Sequence, residues 1–430
     1  MKRILFVDDE VFVLDGLKRM LRRMRTQWEM EFVDSGEAAL GVMTQKEFDV
    51  IVSDMRMPNM NGAELLNEVK DLHPNTIRFI LSGYSDKDLI LKSLDSTHQY
   101  LAKPCDPETL KTRILRATTL QESISNEALK NLISQLGELP SLPALYQEIL
   151  GLLREPDVSS GRLSDAIKKD IGMTAKILKF ANSGYVGLKR KISGVVDAVS
   201  YLGMDYIRSI ILTLGAFGRL KQFNINGSTL ESFWDSSLKV AEAAKAVTIS
   251  QTASRTMAEE AYVSGLLHAC GKLILGANFP AKYAEVNQMV KEEGLSLLDA
   301  EAKLLGAHHG QVGAYLLGLW GLAGPIVEAV HWYRNPSNSI PMDFQPLTAV
   351  HVASALIFEV WEDEEAQEDD SEVEDENGLF THAELDREYL EKISLLSRLE
   401  DWRFLVNSYQ RTSEERQQLV AGMLDDQGNT

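Results

Sequence analysis

"RILFVDDE", Arg3 to Glu10, decides the fold of the first part of the chain, because an apolar, β-prone run ends abruptly in three carboxylates. Apolar residues then recur at helical spacing from Val11 onward. This alternation of strand and helix continues to Pro104. Strands separated by helical segments predict parallel β-α-β units, and therefore a doubly wound, five-stranded parallel sheet of the α/β class. Further elements predicted in this region include the third, fourth and fifth strands, "FDVIVSD" (48–54), "TIRFILSG" (76–83) and "HQYLAKP" (98–104), and the helices "GAELLNEVKDL" (62–72) and "DKDLILKSL" (86–94).

Polar side chains gather where these strands end. Asp8 and Asp9 follow the first strand, Asp54 and Ser82 end later strands, and Lys103 follows the last one. In a doubly wound sheet, the carboxyl ends of the strands form the ligand-binding edge. Three carboxylates repel one another unless a cation joins them, and oxygen ligands with room for water suit Mg²⁺. The pattern therefore predicts a Mg²⁺ site where Asp54 attacks a phosphoryl group, with Lys103 and Ser82 contacting phosphate oxygens.

The motifs "VDDE", "SDMRMPNMNG", "LSGYSD" and "YLAKP" occur in this order over roughly Met1 to Leu120. They resemble the receiver domain of two-component response regulators, which has a flavodoxin-like fold. The resemblance implies that Asp54 is the phosphoacceptor and that Asp8 and Asp9 help to hold Mg²⁺. It further implies that Ser82 is the switch hydroxyl, that Tyr100 is the switch aromatic, and that a sensor histidine kinase, or a hybrid kinase or phosphotransfer protein, supplies the phosphoryl group.

The segment after the receiver region has no Gly or Pro between Glu108 and Gln135, and it carries an imperfect apolar stripe. Gly137 and Pro140 then end the helical pattern. We predict a linker helix over 121–138, either continuous with the last receiver helix or separated from it by a bend. A continuous helix would transmit a rearrangement more directly than a flexible linker.

The pattern from residue 139 onward is helical throughout, and it predicts an all-α bundle. This region, 139–356, resembles the HDOD family, relatives of the HD-type phosphohydrolases that usually lack the full metal-binding set. Together with a receiver it also resembles the response regulators that hydrolyse cyclic di-GMP. The motifs that carry the HDOD resemblance are "LPSLPALYQEIL" (139–150), "DIGMTAKILKFANSGYVG" (170–187), "ISGVVDAVSYLG" (192–203) and "LLGLWGLAGPIVEAVHWY" (316–333).

The metal ligands that a hydrolytic HD site needs are missing at several positions. Ser236 occupies the place of an early ligand histidine, and Ala269 follows His268 where the enzymes have an aspartate that can bridge two metals. An all-imidazole Zn²⁺ site is the chemical alternative. We expect instead that the protein itself satisfies each histidine, that the HDOD domain holds no cofactor, and that it is not an enzyme. The polar residues left at these degenerate positions are His268, Lys272, His308, His309, His331 and His351.

The formal net charge of -19 is concentrated locally, with twelve Asp or Glu residues and no Lys or Arg between Glu359 and Glu376. We predict an acidic, disordered loop at 357–378, followed by a C-terminal helical extension at 379–430 that packs on the HDOD domain. An acidic surface argues against direct nucleic-acid binding. Two cysteines exclude a disulfide framework, and no apolar run is long enough to span a membrane. We therefore expect a cytoplasmic protein.

The function predicted from these observations is that of a response regulator whose HDOD domain contacts a downstream protein partner. A homodimer is a further predicted assembly. An HD-type phosphohydrolase, or a metal-free sensor of a nucleotide such as cyclic di-GMP, is the alternative. Metal content distinguishes the enzyme from the other two, because a hydrolase of this kind needs bound metal.

Overall fold

The structure is a computed structural model of the 430-residue chain. It describes residues 1–82, 96–136, 143–155, 158–182, 191–204, 227–340, 343–365 and 383–408, together with Leu89, Ser93, Ile207 and Ile211. The chain divides into two compact units. The first comprises Met1–Arg219, Leu305–Ala307 and Ala314–Ala323, and the second comprises Leu220–Leu304, His308–Gly313 and Gly324–Thr430.

A five-stranded, fully parallel sheet forms the N-terminal part of the first unit, in the order β2-β1-β3-β4-β5. This confirms the predicted doubly wound α/β fold. The central strands are buried on both faces, as a parallel sheet covered by helices requires. The strands are β1 (Lys2–Val7), β2 (Trp28–Val33), β3 (Val50–Asp54), β4 (Ile77–Ser82) and β5 (Gln99–Ala102).

The helices around this sheet begin at local capping residues. Asn61 and Glu64 form a reciprocal capping box at the start of α3, and Asp106 caps α4 ahead of Pro107. The helix predicted over 86–94 lies outside the described residues except at Leu89 and Ser93. The described helices are α1 (Val11–Met20), α2 (Gly36–Met43), α3 (Gly62–Leu72) and α4 (Pro107–Glu122), with a 3₁₀ turn at Arg22–Thr26.

The linker forms a separate helix, α5 (Glu127–Gln135), so the chain follows the bent alternative and no single helix spans 121–138. The break has a local cause. Asn126 caps α5 by accepting a hydrogen bond from the Leu129 amide, and its own amide donates to the Leu305 carbonyl at 2.9 Å. Ser125 also donates to the Gly306 carbonyl through its amide and its hydroxyl. The hydrogen bonds of Ser125 and Asn126 compete with those of a continuous helix, and the helix is interrupted at these two residues.

All described residues after 136 are helical, turn or coil, which confirms the predicted all-α domain. The first unit continues with α6 (Pro143–Arg154), α7 (Ser160–Lys168), α8 (Ile171–Ala181) and α9 (Val195–Leu202). The later helices are α10 (Gly227–Gln251), α11 (Arg255–Leu267), α12 (Cys270–Asn278), α13 (Pro280–Glu293), α14 (Leu297–Leu305), α15 (His309–Leu319), α16 (Gly324–Trp332), α17 (Pro346–Glu365), α18 (Arg387–Lys392) and α19 (Leu399–Ser408).

The second unit has a continuous apolar core to which α10, α11, α17, α18 and α19 contribute. Trp402, Tyr389 and Leu390 of the C-terminal segment are buried in this core. Helix α17 runs to Glu365, so the acidic loop predicted from residue 357 does not begin there. The rest of that predicted loop, and the chain from residue 409, lie outside the described residues.

Among the described residues, no helix combines the length and the apolar character needed to cross a bilayer.

Candidate functional site

Three carboxylates meet at the carboxyl edge of the sheet. Asp8 and Asp9 follow β1, Asp54 ends β3, and one oxygen from each lies within 4.8 Å of the others. Asp8 is fully buried, Asp54 is nearly so, and Asp9 is exposed. Over the part of the chain that the structure describes, no other group of three His, Cys, Asp or Glu side chains converges in this way. The convergence follows from strand order, because β1 and β3 are direct neighbours.

Backbone groups fix the orientation of the two buried carboxylates. Asp8 accepts a hydrogen bond from the Glu10 amide at 3.0 Å, and Asp54 accepts one from the Arg56 amide at 3.1 Å. Gly62 packs directly against the Asp54 backbone, where any Cβ would overlap the Asp54 carbonyl oxygen. The Gly62 amide donates to the Met55 carbonyl at 2.9 Å, so a glycine holds the loop after β3 against the start of α3.

Lys103 joins the two buried carboxylates. Its Nζ lies 2.7 Å from Asp8 Oδ2 and also contacts Asp54 Oδ1. Burial raises the pKa of Asp54 above its ordinary range, and the charge of Asp8 adds to this, while Lys103 and the Arg56 amide oppose it. Burial disfavours the charged Lys103, but its hydrogen bonds to Asp54 and Asp8 outweigh this, and its pKa is raised. Lys103 therefore stays cationic beside the two aspartates.

Ser82 and Tyr100 occupy the neighbouring strands. The Ser82 hydroxyl is buried at the end of β4 and has no hydrogen-bond partner among the described residues. Tyr100 of β5 is 3% exposed, and its hydroxyl lies 2.8 Å from Ser93 Oγ. An unpartnered buried hydroxyl is costly in a folded protein. Ser82 thus has a free hydrogen-bonding position beside Asp54, and Tyr100 is held inward.

The donor set fits Mg²⁺. All three converging ligands are carboxylate oxygens, which hard divalent cations prefer, and Asp9 is open to water. The cluster lacks the imidazole and thiolate groups that zinc or copper select. This acidic pocket is typical of Mg²⁺ binding.

A second polar cluster lies at the opposite end of β5 and was not predicted from the sequence. The guanidinium of Arg78, a fully buried β4 residue, donates to the carbonyls of Ser96 and Ser134 at 2.6 and 2.5 Å. His98 accepts the Arg78 amide at Nδ1, so its Nε2–H donates to the Ser134 carbonyl at 3.0 Å. Gln99 Nε2 donates to the Gly318 carbonyl at 2.9 Å. The receiver strands therefore contact α5 and the end of α15.

The residues at the degenerate HD positions lie on several helices, and His308 and His331 among them are only partly buried. Ser236 lies on α10, Lys272 on α12 and Ala269 between α11 and α12, all nearly inaccessible to solvent. The His351 Nδ1–H donates to the Tyr333 carbonyl at 2.7 Å, and its Nε2 accepts the Asp386 amide at 2.9 Å.

The other imidazoles also contact protein groups, but His331 Nε2 is buried without a hydrogen-bond partner among the described residues, so the expectation that the protein satisfies each histidine is wrong at this position. The His268 Nδ1–H donates to the Gly265 carbonyl at 2.6 Å, and its ring packs edge-on against Tyr333. His308 and His331 have ring centroids 5.8 Å apart, and His308 Nδ1 accepts the Gln311 amide.

Glu301 organises this region, although the sequence reasoning missed it. Its fully buried carboxylate accepts the Tyr283 hydroxyl at 2.8 Å, the His309 amide at 2.8 Å and His309 Nδ1–H at 2.6 Å. His309 Nε2 in turn accepts the Tyr333 hydroxyl at 2.9 Å. Helical spacing could have identified Glu301, because Leu297 and Leu305, four residues away on either side, place it on the apolar face of α14.

The histidines in this region are uncharged near neutral pH. Burial lowers the pKa of His268 and of His309 to about 3 and that of His331 to about 4. Burial would raise the pKa of Glu301, but the electrostatic interaction with His309, followed by the hydrogen bonds from His309 and Tyr283, outweighs burial and holds that pKa below its usual value. The network is therefore an ionised carboxylate that neutral donors solvate internally.

This parallel sheet with its acidic pocket defines the class: a receiver domain of the kind that signalling proteins carry. More particularly, the family model "Response regulator receiver domain" matches residues 4–115, and the model "HDOD domain" matches residues 139–336. The chain is a response regulator with an N-terminal receiver domain followed by an HDOD domain.

Several known proteins resemble part of the chain. An "Uncharacterized protein" of Treponema pallidum is 21% identical over 50% of this chain and 41% of its own length. The "Hydrogenase transcriptional regulatory protein HoxA" of Cupriavidus necator is 32% identical over 27% of this chain and 24% of its own. The chain thus spans less than half of these curated relatives. The MmoQ response regulator of Methylococcus capsulatus is 26% identical, with 51% of this chain and 87% of that one covered and a TM-score of 0.41.

Proposed function

We propose that a sensor histidine kinase, or a phosphotransfer protein, phosphorylates Asp54, and that the change is passed to a non-catalytic HDOD domain that binds or releases a protein partner. A receiver domain implies a phosphodonor histidine kinase. The observation that carries the proposal is the buried Asp54 carboxylate in contact with Lys103, next to the unpartnered hydroxyl of Ser82.

The reaction follows from this geometry. An Asp54 carboxylate oxygen attacks the phosphorus of a phosphohistidine, so that a P–O bond forms and the P–N bond breaks. The bonding electron pair goes to the departing imidazole nitrogen, which takes up a proton. Asp8, Asp9 and Asp54 would hold Mg²⁺, which when bound supplies positive charge to the phosphoryl oxygens. Lys103 orients Asp54 before transfer and neutralises a phosphate oxygen afterwards.

The added charge changes the partners at this edge of the sheet. Before transfer, Lys103 bonds both Asp8 and Asp54, and Ser82 has no hydrogen-bond partner within the described part of the chain. A phosphoryl group on Asp54 offers acceptors to both the Ser82 hydroxyl and Lys103. Lys103 directly follows β5, whose other end holds Gln99 against the Gly318 carbonyl. Strand β5 therefore connects the phosphorylation site to the HDOD contacts.

The buried network around Glu301 supports a non-catalytic HDOD domain. Ser236 and Ala269 supply no imidazole or carboxylate at two ligand positions, and His309 uses both ring nitrogens in bonds to Glu301 and Tyr333. A near-stoichiometric amount of Fe, Mn or Zn in the purified protein would contradict this part of the proposal and favour a phosphohydrolase.

The phosphoryl-transfer step is tested by incubating the full chain with acetyl phosphate and Mg²⁺ and measuring the intact mass. We expect a gain of one phosphoryl group, abolished in Asp54→Asn and retained in the control Asp15→Asn, which removes an exposed carboxylate of α1. Equal labelling of the wild type and Asp54→Asn would refute the assignment. For the output step, a pull-down should recover a partner whose binding differs between phosphorylated wild type and Asp54→Asn.

A further inference from the structure

A group of cationic side chains lies where the receiver domain meets the HDOD segment of the first unit. It is distinct from the acidic pocket at the carboxyl edge of the sheet and from the histidine network of the second unit. We call it the junction pocket. It is lined by His98, Gln99, Tyr100, Arg113, Lys179, Asn182, Lys191, Trp320 and Gly321, a set that contains no carboxylate.

Two cationic head groups converge above one glycine in this pocket. A Cβ added to Gly321 would lie 3.3 Å from Lys191 Nζ and 3.4 Å from Arg113 Nη1. Gly321 adopts a positive φ of 74°, a conformation that favours glycine. Lys191 Nζ donates to the Gly321 carbonyl at 2.5 Å, and Arg113 Nη1 donates to Gln99 Oε1 at 3.2 Å. The two cations thus face the same point from different domains.

No anion compensates these charges within the described structure. Neither Lys191 nor Arg113 forms an ion pair with a carboxylate there, although the whole chain carries a net charge of -19. Each uses only a small part of its donors, since an ammonium has three N–H groups and a guanidinium has five. A third cation, Lys179, lies 5.3 Å above the Trp320 ring. Burial, followed by the charges of Arg113 and Arg116, holds the pKa of Lys191 well below its usual range.

We propose that the junction pocket binds a phosphate-type oxyanion, either free phosphate or the phosphate group of a nucleotide, between Arg113 and Lys191. A planar guanidinium and an amine directed at one point suit phosphate oxygens, and a bound phosphate would stabilise the charged form of Lys191 that burial disfavours. The lining side chains pack so closely that no water-sized molecule fits between them as they stand, so a phosphate group can enter only if the cationic head groups turn aside. Arg113 and Lys191 are both partly exposed, so their heads can turn towards an entering anion.

Binding there would strengthen the contact between the domains. Arg113 lies on α4 of the receiver, whereas Lys191 and Gly321 belong to the HDOD region. An oxyanion that bonds both cations replaces repulsion with two charge-assisted contacts across the junction. The proposal does not depend on Asp54 chemistry, and it adds a second chemical input to the one at the acidic pocket.

The test uses the full chain in EDTA, titrated calorimetrically with inorganic phosphate at constant ionic strength and, in a second arm, with adenosine monophosphate. We expect saturable binding that weakens roughly tenfold or more in Arg113→Gln and in Lys191→Gln. Lys111→Gln is the matched control, because it removes the same charge from a partly exposed position on the same helix, outside the junction pocket. Binding to this control should stay within about twofold of the wild type.

A second measurement needs no variant and so does not depend on folding of the substituted proteins. Phosphate should protect Lys191 of the wild type from amine acylation, read by peptide mass spectrometry, while Lys111 stays unprotected. If adenosine monophosphate binds more tightly than phosphate, and both variants lose this binding, the bound phosphate group belongs to a nucleotide. Equal binding of the two would identify free phosphate as the ligand. Absence of saturable binding in both arms, or unchanged affinity in Arg113→Gln and Lys191→Gln, would overturn the proposal.

Discussion

Replacing Arg78 by methionine should destabilise the first unit more than any exposed arginine substitution does. The Arg78 guanidinium is fully buried and donates to the carbonyls of Pro74, Thr76, Ser96 and Ser134. A methionine side chain fills similar space but cannot donate a hydrogen bond. Burial lowers the pKa of Arg78 to about 10, which leaves it cationic near neutral pH.

The size of the effect follows from the carbonyls that lose their donor. Ser134 keeps a donor in His98 Nε2–H, whereas the carbonyls of Thr76 and Ser96 lose the bond from Arg78 inside the protein. Each orphaned buried acceptor costs about 1–3 kcal/mol. Methionine also removes the free-energy cost of burying the Arg78 cation, which offsets part of this loss. We expect a net loss of about 3 kcal/mol, which lowers the melting temperature of a unit this size by about 6–12 °C.

The assay combines thermal melting with hydrogen exchange read by mass spectrometry. Exchange should rise in peptides from β4 and α5, because Arg78 ties these two elements together. Arg19→Met is the matched control, since Arg19 is exposed on α1, and it should change stability by no more than about 0.5 kcal/mol. Melting and exchange of Arg78→Met equal to those of Arg19→Met would refute the reasoning.

Three further predictions test other parts of the molecule. Lys103 lowers the pKa of the Asp54 carboxylate, so Lys103→Met should move the loss of phosphorylation rate at acidic pH to a higher pH. Phosphorylation rates measured with acetyl phosphate between about pH 5 and 8 test this. The pKa of His309 is about 3 in the folded protein, so below about pH 6.5 the unfolded chain binds more protons than the folded chain does. The urea concentration at the unfolding midpoint of the second unit should therefore fall as the pH drops from about 6.5 towards 3. A midpoint that does not change with pH would contradict this. Gly271→Ala should cost about 1–3 kcal/mol, because its Cβ would overlap the His309 carbonyl, whereas Gly41→Ala on an open helix face should be neutral or stabilising in the same melting assay.

The sheet could be predicted because its signals are local. A run such as "RILFV" ends at Asp8, and parallel connectivity then brings the ends of β1 and β3 to the same edge. The type of residue at each strand end was enough to place Asp8, Asp9, Asp54 and Lys103 together, and they are together in the structure. Side-chain detail was not accessible, since the Lys103 contacts depend on the geometry of the loop after β5.

Long-range partners explain most of what could not be predicted. The break between α4 and α5 depends on the Leu305 and Gly306 carbonyls, far away in sequence, and no local pattern identifies them. Arg78 is an unusual residue for a buried strand, but the carbonyl groups of Ser96 and Ser134 that accept its hydrogen bonds become apparent only in three dimensions. The sequence comparison considered only the positions at which HD-type enzymes carry metal ligands. Glu301 is not one of those positions, although its buried carboxylate binds His309 in the structure.

Strand β5 carries two sets of contacts at its opposite ends, and this is the physical basis of the proposed relay. Lys103 follows its carboxyl end and responds to the charge on Asp54, while His98 and Gln99 at its amino end bond α5 and α15. All four residues of β5 pair with β4, so we expect the strand to shift as a unit. Any displacement that a phosphoryl group imposes on Lys103 therefore reaches Gln99 without crossing a flexible segment. The adjacent junction pocket acts on the same end of the strand through the Arg113–Gln99 bond, so an anion there would oppose or reinforce the same movement.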